Sequence, residues 1–532
     1  MKKSLLRILG LALCLCMIFG MLAGCGSIGS EPAVEEPVVE TEAAAPAEDV
    51  AEEPAEAAAP TRDDYVIASA SEPPTLHPID QTSLTTMQMN LIMYNRLFKL
   101  DSTAAPVPDL VDTYSNVDDL TWTFTLREGI KFHDGTDLTS EDVKATLEYC
   151  QQSSFASAYV SEIDHVEVID DLNFNIVTTT PTSSLIVNLT QSACSIVPSE
   201  KLESGHDFNA EPCGSGPYKF VEWLPAQHIK FEAFEDYFDG VASIKNLTWR
   251  FIAEDSARTI ALEAGEVDYL WAVATIDLPN LEANDNIQFT YSPSVNLCTF
   301  VMNTEIEPYN NKDFRRAVSA AINRSDIVTA VLNGYGYEAF GCVPNDLAYE
   351  NLENAVEPGL ENAKAYLEAS GVDPSTVTMT ILCDSDTERL IGAVIQSNLM
   401  ELGLSVELES YESAAADSML STGDFDCALV AVANNVAVNF CRRMYHSTQL
   451  GASNYPRYCD EEIDTMIDNA IATLDEASRG EQVSELEAYL NDLCLYVPLY
   501  NDMYIRAYDA DLEGVTLNSC FFTDYHRIYW EK

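Results

Sequence analysis

Val377-Thr-Met-Thr-Ile381 alternates apolar with polar side chains, and the chain then changes period. Leu390, Ile391, Val394 and Ile395 return at helical spacing within residues 387–401, Gly403 stops that run, and Val406 and Leu408 begin another strand. Period two, then 3.6, then two again reads as a strand, a crossover helix and a second strand. Such a βαβ unit closes right-handed with its strands parallel. Phe425 to Ala433 follows as a near-continuous apolar run, expected of a parallel strand covered on both faces. In open α/β sheets ligands settle beyond the carboxyl ends of strands. Here that place is Asn434-Asn435, two neutral amides read either as ligand contacts or as a plain polar turn.

Upstream of this unit, Phe314, Ala317, Val318, Ala321 and Ile322 form one apolar stripe on a helix that Asn323-Arg324 helps end. The N-terminal half has a different character. Tyr65-Val-Ile-Ala68 is a short strand, Pro73, Pro74 and Pro78 make a turn, and a helix is predicted through Met87, Leu91, Tyr94 and Leu97. Leu120, Trp122, Phe124 and Leu126 alternate with Thr121, Thr123, Thr125 and Arg127, a half-buried strand. Thr139 with Asp142 three residues on resembles a helix cap, and residues 166–168 and 174–177 read as a hairpin about Asp170-Asp171. This strand-rich stretch has the look of a subdomain. A chain of 532 residues exceeds what one hydrophobic core supports, so at least two lobes are expected.

The front end fixes the compartment. Lys2, Lys3 and Arg7 precede an apolar run from Ile8 to Ala23 that is too short for a comfortable membrane span and reads as a signal peptide. It closes on Leu22-Ala23-Gly24-Cys25, which resembles a lipobox; Cys25 would carry the lipid and become the mature N-terminus, leaving residues 1–24 as the signal. Residues 25–61 are then rich in Glu, Ala and Pro, a composition that forms no core and stays extended as a tether.

The formal net charge is -58. A field of that sign repels phosphate backbones, so nucleic acid is excluded as a partner, and it favours a soluble monomer. Cys14 and Cys16 fall in the signal. The eleven cysteines after Cys25 show no C-x-x-C spacing, with His446 the one nearby histidine, so no zinc site is expected. They are predicted to be mostly free, buried thiols with at most one or two disulfides.

Trp122-Thr-Phe-Thr-Leu-Arg-Glu-Gly-Ile-Lys-Phe-His-Asp-Gly-Thr136, continuing through Leu138-Thr-Ser-Glu-Asp-Val143, resembles the signature of the bacterial extracellular solute-binding proteins of the oligopeptide, dipeptide and nickel type, family 5. Further matches run in family order: Leu76 and Pro78, Gly214-Ser-Gly-Pro-Tyr-Lys-Phe220, Met302-Asn-Thr304, Phe314-Arg-Arg-Ala317, Ala321-Ile-Asn-Arg324, Asp460 to Ile467, and Pro498-Leu-Tyr500. The resemblance implies an α/β fold of the type II (cluster C) periplasmic-binding-protein kind, with two lobes, a hinge and an extra subdomain. It places lobe I at 62–98, 179–290 and 501–532, the subdomain at 99–178 and lobe II at 291–500. It also implies an exported, membrane-anchored capture protein that closes on a solute and delivers it to the permease subunits of an ABC importer, without a cofactor. The alternatives are a surface receptor or sensor without transport and an anchored exoenzyme.

No catalytic constellation accompanies these motifs. His133-Asp134 stands before Gly135 as a turn would, and Gly214-Ser215-Gly216 is no nucleophile elbow because Pro217 blocks the helix start. The family's geometry implies cleft contacts from Gln81, Thr82 and Ser83, from Ala431 to Ala433, and from Asn434 and Asn435, with Trp271 as an aromatic wall or a core residue. Peptide-binding members carry an acid after the strand matching 425–433, and this chain has Asn434-Asn435 there. The missing charge is expected elsewhere, for instance at Asp80, or the solute is a blocked peptide, a polar non-peptide or a metal chelate. Arg442, with Arg443, is the candidate for an anionic group of the solute.

Overall fold

Two long antiparallel strands, Ile287–Met302 and Tyr496–Asp509, carry the architecture. The computed structural model describes residues 62–345, 347 and 349–531; the signal, Cys25 and the tether lie outside them. One side of the strand pair continues through Cys427–Ala433, Thr378–Cys383 and Ser405–Ser410. The other continues through Tyr269–Leu270, Asp64–Ser69, Asn246–Phe251, His228–Ala233 and Tyr218–Leu224. Gly336–Glu338 adds a short edge on the second long strand.

The βαβ unit is present: Thr378–Cys383 runs parallel to Ser405–Ser410 with Thr378 opposite Ser405, and the helix Asp386–Met400 connects them. The apolar run after Phe425 forms Cys427–Ala433, parallel to Thr378–Cys383 on one side and antiparallel to Ile287–Met302 on the other. Its side chains alternate between two cores. Phe300, Ile381, Cys427 and Leu429 face one cluster, while Val301, Leu382, Ala428 and Val430 face another. A strand buried on both faces has no polar side to show, which is why its sequence does not alternate. Each fully buried side chain of this size contributes roughly 1.5–3 kcal/mol. A separate core around Tyr65, Ile67, Phe98, Tyr218 and Leu247 serves the N-terminal part.

A four-stranded antiparallel sheet, ordered Val111–Asn116, Thr121–Leu126, Asn173–Thr178 and Ile163–Val168, accounts for the strand-rich stretch. The helix Ser140–Gln152 follows Thr139, whose N–H donates to the Asp142 carboxylate at 2.8 Å. The helix expected to run through Leu97 is Leu84–Met93 and stops earlier. Its last carbonyl, on Met93, accepts from the Gly216 N–H at 2.9 Å. A Cβ on Gly216 would stand 2.4 Å from the Met93 carbonyl carbon, so Gly214-Ser215-Gly216 is the seat of this helix end and only a bare backbone fits there.

All eleven cysteines of the described residues are free, ten of them buried and Cys459 exposed. Burial pushes the thiols of Cys213, Cys298 and Cys520 up to about 12 and that of Cys383 to about 11. No helix among the described residues is long and apolar enough to cross a membrane.

Candidate functional site

The ladder between the two long strands breaks between Pro293 and Leu297. Proline has no N–H to give, and a bulge bends the pair. Asn501, fully buried, repairs the loss. Its amide nitrogen donates to the carbonyls of Ser294 and Asn296 at 3.1 and 3.2 Å, and its oxygen accepts from the Asn345 N–H at 3.2 Å. Asn296 in turn donates to Asp502 at 2.6 Å, and burial holds the Asp502 carboxyl above its ordinary range.

A cavity of about 670 Å3 opens at this bend, with Pro293, Ser294 and Val295 among its lining. Residues 103–106, Tyr114, Trp122, Ser183, Ser184, Ile186 and Val187 face it from the N-terminal part; Asn345, Leu347, Tyr349, residues 435–438, Glu476, Arg479 and Val483 face it from the other. Tyr114 and Trp122 stack at 6.4 Å and 23°. The Trp122 Nε1 is buried with no partner among the described residues, a donor that normally finds an acceptor. The two sides touch around the cavity. Ser184 donates to Asn439 at 2.8 Å, the Ser183 N–H to the Ile471 carbonyl at 2.9 Å, and Arg442 pairs with Glu162 at 3.2 Å.

Of the residues singled out from sequence, Asn435 lines this cavity, and its amide donates to the Ala104 carbonyl at 3.4 Å. Asn434 forms a turn, accepting from the Val436 N–H at 2.9 Å. Ala433 ends its strand exposed, and neither it nor Asn434 is among the lining residues. Gln81 is buried with both amide atoms unpartnered, Thr82 is exposed, and the Ser83 hydroxyl meets that of Thr85 at 2.8 Å; none of the three lines the cavity. Trp271 packs on the N-terminal core with the Arg506 guanidinium 5.1 Å from its ring centre. Asp80 is engaged by Tyr149 and Ser153, both at 2.6 Å.

His133 donates through Nε2 to the Gly216 carbonyl, 3.0 Å away, and burial lowers its imidazole to about 4. It therefore stays neutral and braces the glycine seat. Among the described residues no group of His, Cys, Asp and Glu is placed to hold a metal ion.

The residues that sequence reasoning passed over are Tyr114, Trp122, Tyr349, Glu476 and Arg479. Trp122 stood out as a strand residue and as the start of the family signature, neither of which marks a cavity wall. Arg479 had a signal, as one of 28 basic residues against 86 acidic and the lone cation of the helix Glu476–Leu493.

A profile of the "Bacterial extracellular solute-binding proteins, family 5 Middle" matches residues 105–451. The chain belongs to this family. It is 26% identical over 443 residues to the glutathione-binding protein GsiB of Pectobacterium atrosepticum, covering 78% of this chain and 84% of that protein. In shape it is similar to HbpA2 from Haemophilus parasuis, with TM-score 0.81 and 21% identity over 88% of this chain and 100% of that one. It is also similar to DppA from Helicobacter pylori in complex with the peptide STSA, with TM-score 0.73 and 21% identity over 89% and 99% of the two chains. The fold is thus that of family 5: type II, with two α/β lobes and an added subdomain.

Proposed function

We propose that this family 5 chain is the extracytoplasmic solute-binding component of an ABC importer. It is held at the outer face of the cell membrane by a lipid on Cys25, acts as a monomer and captures a peptide or peptide-like small solute. The observation that carries this reading is the cavity of about 670 Å3 at the bend of the two long strands, walled by aromatic, amide and hydroxyl groups from both sides. Its size lies within the usual range for small-molecule sites. The 26% identity to GsiB supports a peptide-like solute.

In this reading, lobe I comprises 62–98, 179–290 and 501–532, the subdomain 99–178 and lobe II 291–500, with the hinge at residues 293–297. A solute that binds the closed form better draws the lobes together, and the Ser184–Asn439 and Arg442–Glu162 contacts close the mouth. Closure strips the solute of water, so its polar groups need partners inside; the Asn435 amide stands on the wall of the cavity. No bond is made or broken. The permease subunits then receive the solute.

The test has three parts. Mass spectrometry of small molecules released on denaturing the full-length chain purified from its host is expected to find a peptide-like compound. That compound is expected to raise the melting temperature by mass action and to accumulate in wild-type cells but not in cells lacking the gene. Cys25→Ala is expected to release the chain into the medium. A chain that copurifies with nothing, and whose loss leaves peptide uptake unchanged, would sink the importer reading.

A further inference from the structure

Among the described residues, two side chains lining the cavity carry full charges, and both come from one turn of one helix. Glu476 and Arg479 stand three apart at the start of Glu476–Leu493, on one face of the helix. Arg479 donates through Nη1 to the carbonyls of Thr473 and Leu474 at 3.2 and 3.3 Å; the exposed Asp475 carboxylate feels its charge, but among the described residues no carboxylate forms an ion pair with it. Glu476 Oε1 accepts from the Tyr349 hydroxyl at 3.0 Å. Tyr349 is itself held in place. Its backbone is left-handed, at φ 72, and its ring lies where a Cβ on Gly480 would come within 2.6 Å. The rest of the described lining is uncharged, and it includes the Tyr114–Trp122 stack.

We infer that the site takes a solute with a single zwitterionic α-amino-acid head on a larger uncharged body, an amino-acid conjugate. The inference rests on the solute-binding reading above. The carboxylate of the head meets Arg479 and its ammonium meets Glu476, with Tyr349 as the positioning residue that aims the Glu476 carboxylate. The body lies along the rings of Tyr114 and Trp122.

A linear peptide fits this arrangement poorly. Each added residue carries its far end up to ~3.3–3.6 Å further, whereas side chains three apart on a helix start about 5–6 Å apart. The distant carboxylate of a tripeptide would therefore meet uncharged wall, and an ion taken from water without a partner is strongly disfavoured.

The experiment is calorimetric titration of the full-length chain with γ-glutamyl-4-nitroanilide, its α-linked isomer and trialanine. The two isomers share every atom, but only the γ-linked one keeps ammonium and carboxylate on one carbon. The γ-linked isomer is expected to bind at least about tenfold more tightly than the other two. Glu476→Gln and Arg479→Gln should each erase that preference, and thermal melting of the unliganded chains should show both variants still folding cooperatively. Tyr349→Phe, which keeps the ring on Gly480, should weaken the γ-linked isomer several-fold, and this loss should vanish when Glu476→Gln is already present. Equal binding of the isomers, tighter binding of trialanine, or a preference that survives both substitutions would overturn the inference and leave the solute-binding reading standing. Silence from all three probes would overturn it as well, and the copurification experiment would then decide the broader reading.

Discussion

Glu487 lies on the helix Glu476–Leu493 and is 1% exposed. Its Oε2 accepts from the Asn351 N–H at 2.6 Å, and its Oε1 has no partner. Burial, opposed by that hydrogen bond and aided by the nearby Glu350 charge, pushes its carboxyl up from 4.5 to about 8. Below pH 4.5 the folded and unfolded chains both hold this proton. Between about 4.5 and 8 the unfolded chain releases it and the folded chain keeps it, so stability falls by about 1.4 kcal/mol per pH unit. Above pH 8 both states are ionised, and the loss levels off on the order of 5 kcal/mol. Glu487→Gln removes the titration while keeping the shape. The stability of the variant relative to wild type is therefore expected to rise by on the order of 4 kcal/mol from pH 4.5 to 8.5. Urea titrations of both chains across that range, followed by tryptophan fluorescence, measure the difference. Glu388, pushed up to about 7 by burial, titrates in the same window, but it is common to both chains and cancels. Parallel stability curves for the two chains would refute the reasoning.

Other consequences are open to direct measurement. Gly216→Ala places a methyl group against the Met93 carbonyl, where the neighbour is backbone and cannot yield; unfolding free energies should show a loss of at least ~3 kcal/mol, the upper end of ordinary overpacking. A maleimide applied to the native chain should label Cys459 alone among the eleven cysteines of the described residues, and all eleven after denaturation, as counted by intact mass. Arg442→Ala removes a half-exposed ion pair with Glu162, worth within about 1 kcal/mol. The Kd of a bound solute should then change by less than about fivefold in calorimetry.

Much of the fold was legible because its signals are local. The βαβ unit showed itself in a change of hydrophobic period between Val377 and Leu408, and the Thr139–Asp142 cap in a four-residue spacing. The end of the first helix was not legible, because what stops it at Met93 is the remote Gly214-Ser215-Gly216 segment. The site was the least legible part. Asn435 was found from its place after a buried strand, since that rule depends on chain order alone. Tyr114, Trp122, Tyr349 and Arg479 come together only through the packing of distant segments, and no periodicity marks a side chain that faces a cavity rather than water. The pairing of Arg442 with Glu162 is of the same kind: 280 residues of chain separate the partners.

The assignment of the site stands or falls on where the solute sits. A crystal structure of the full-length chain with its copurified solute is predicted to show density bounded by Trp122, Asn435 and Arg479, at the bend near Pro293. Density confined to the surroundings of Gln81 and Trp271, with that cavity holding only solvent, would contradict it.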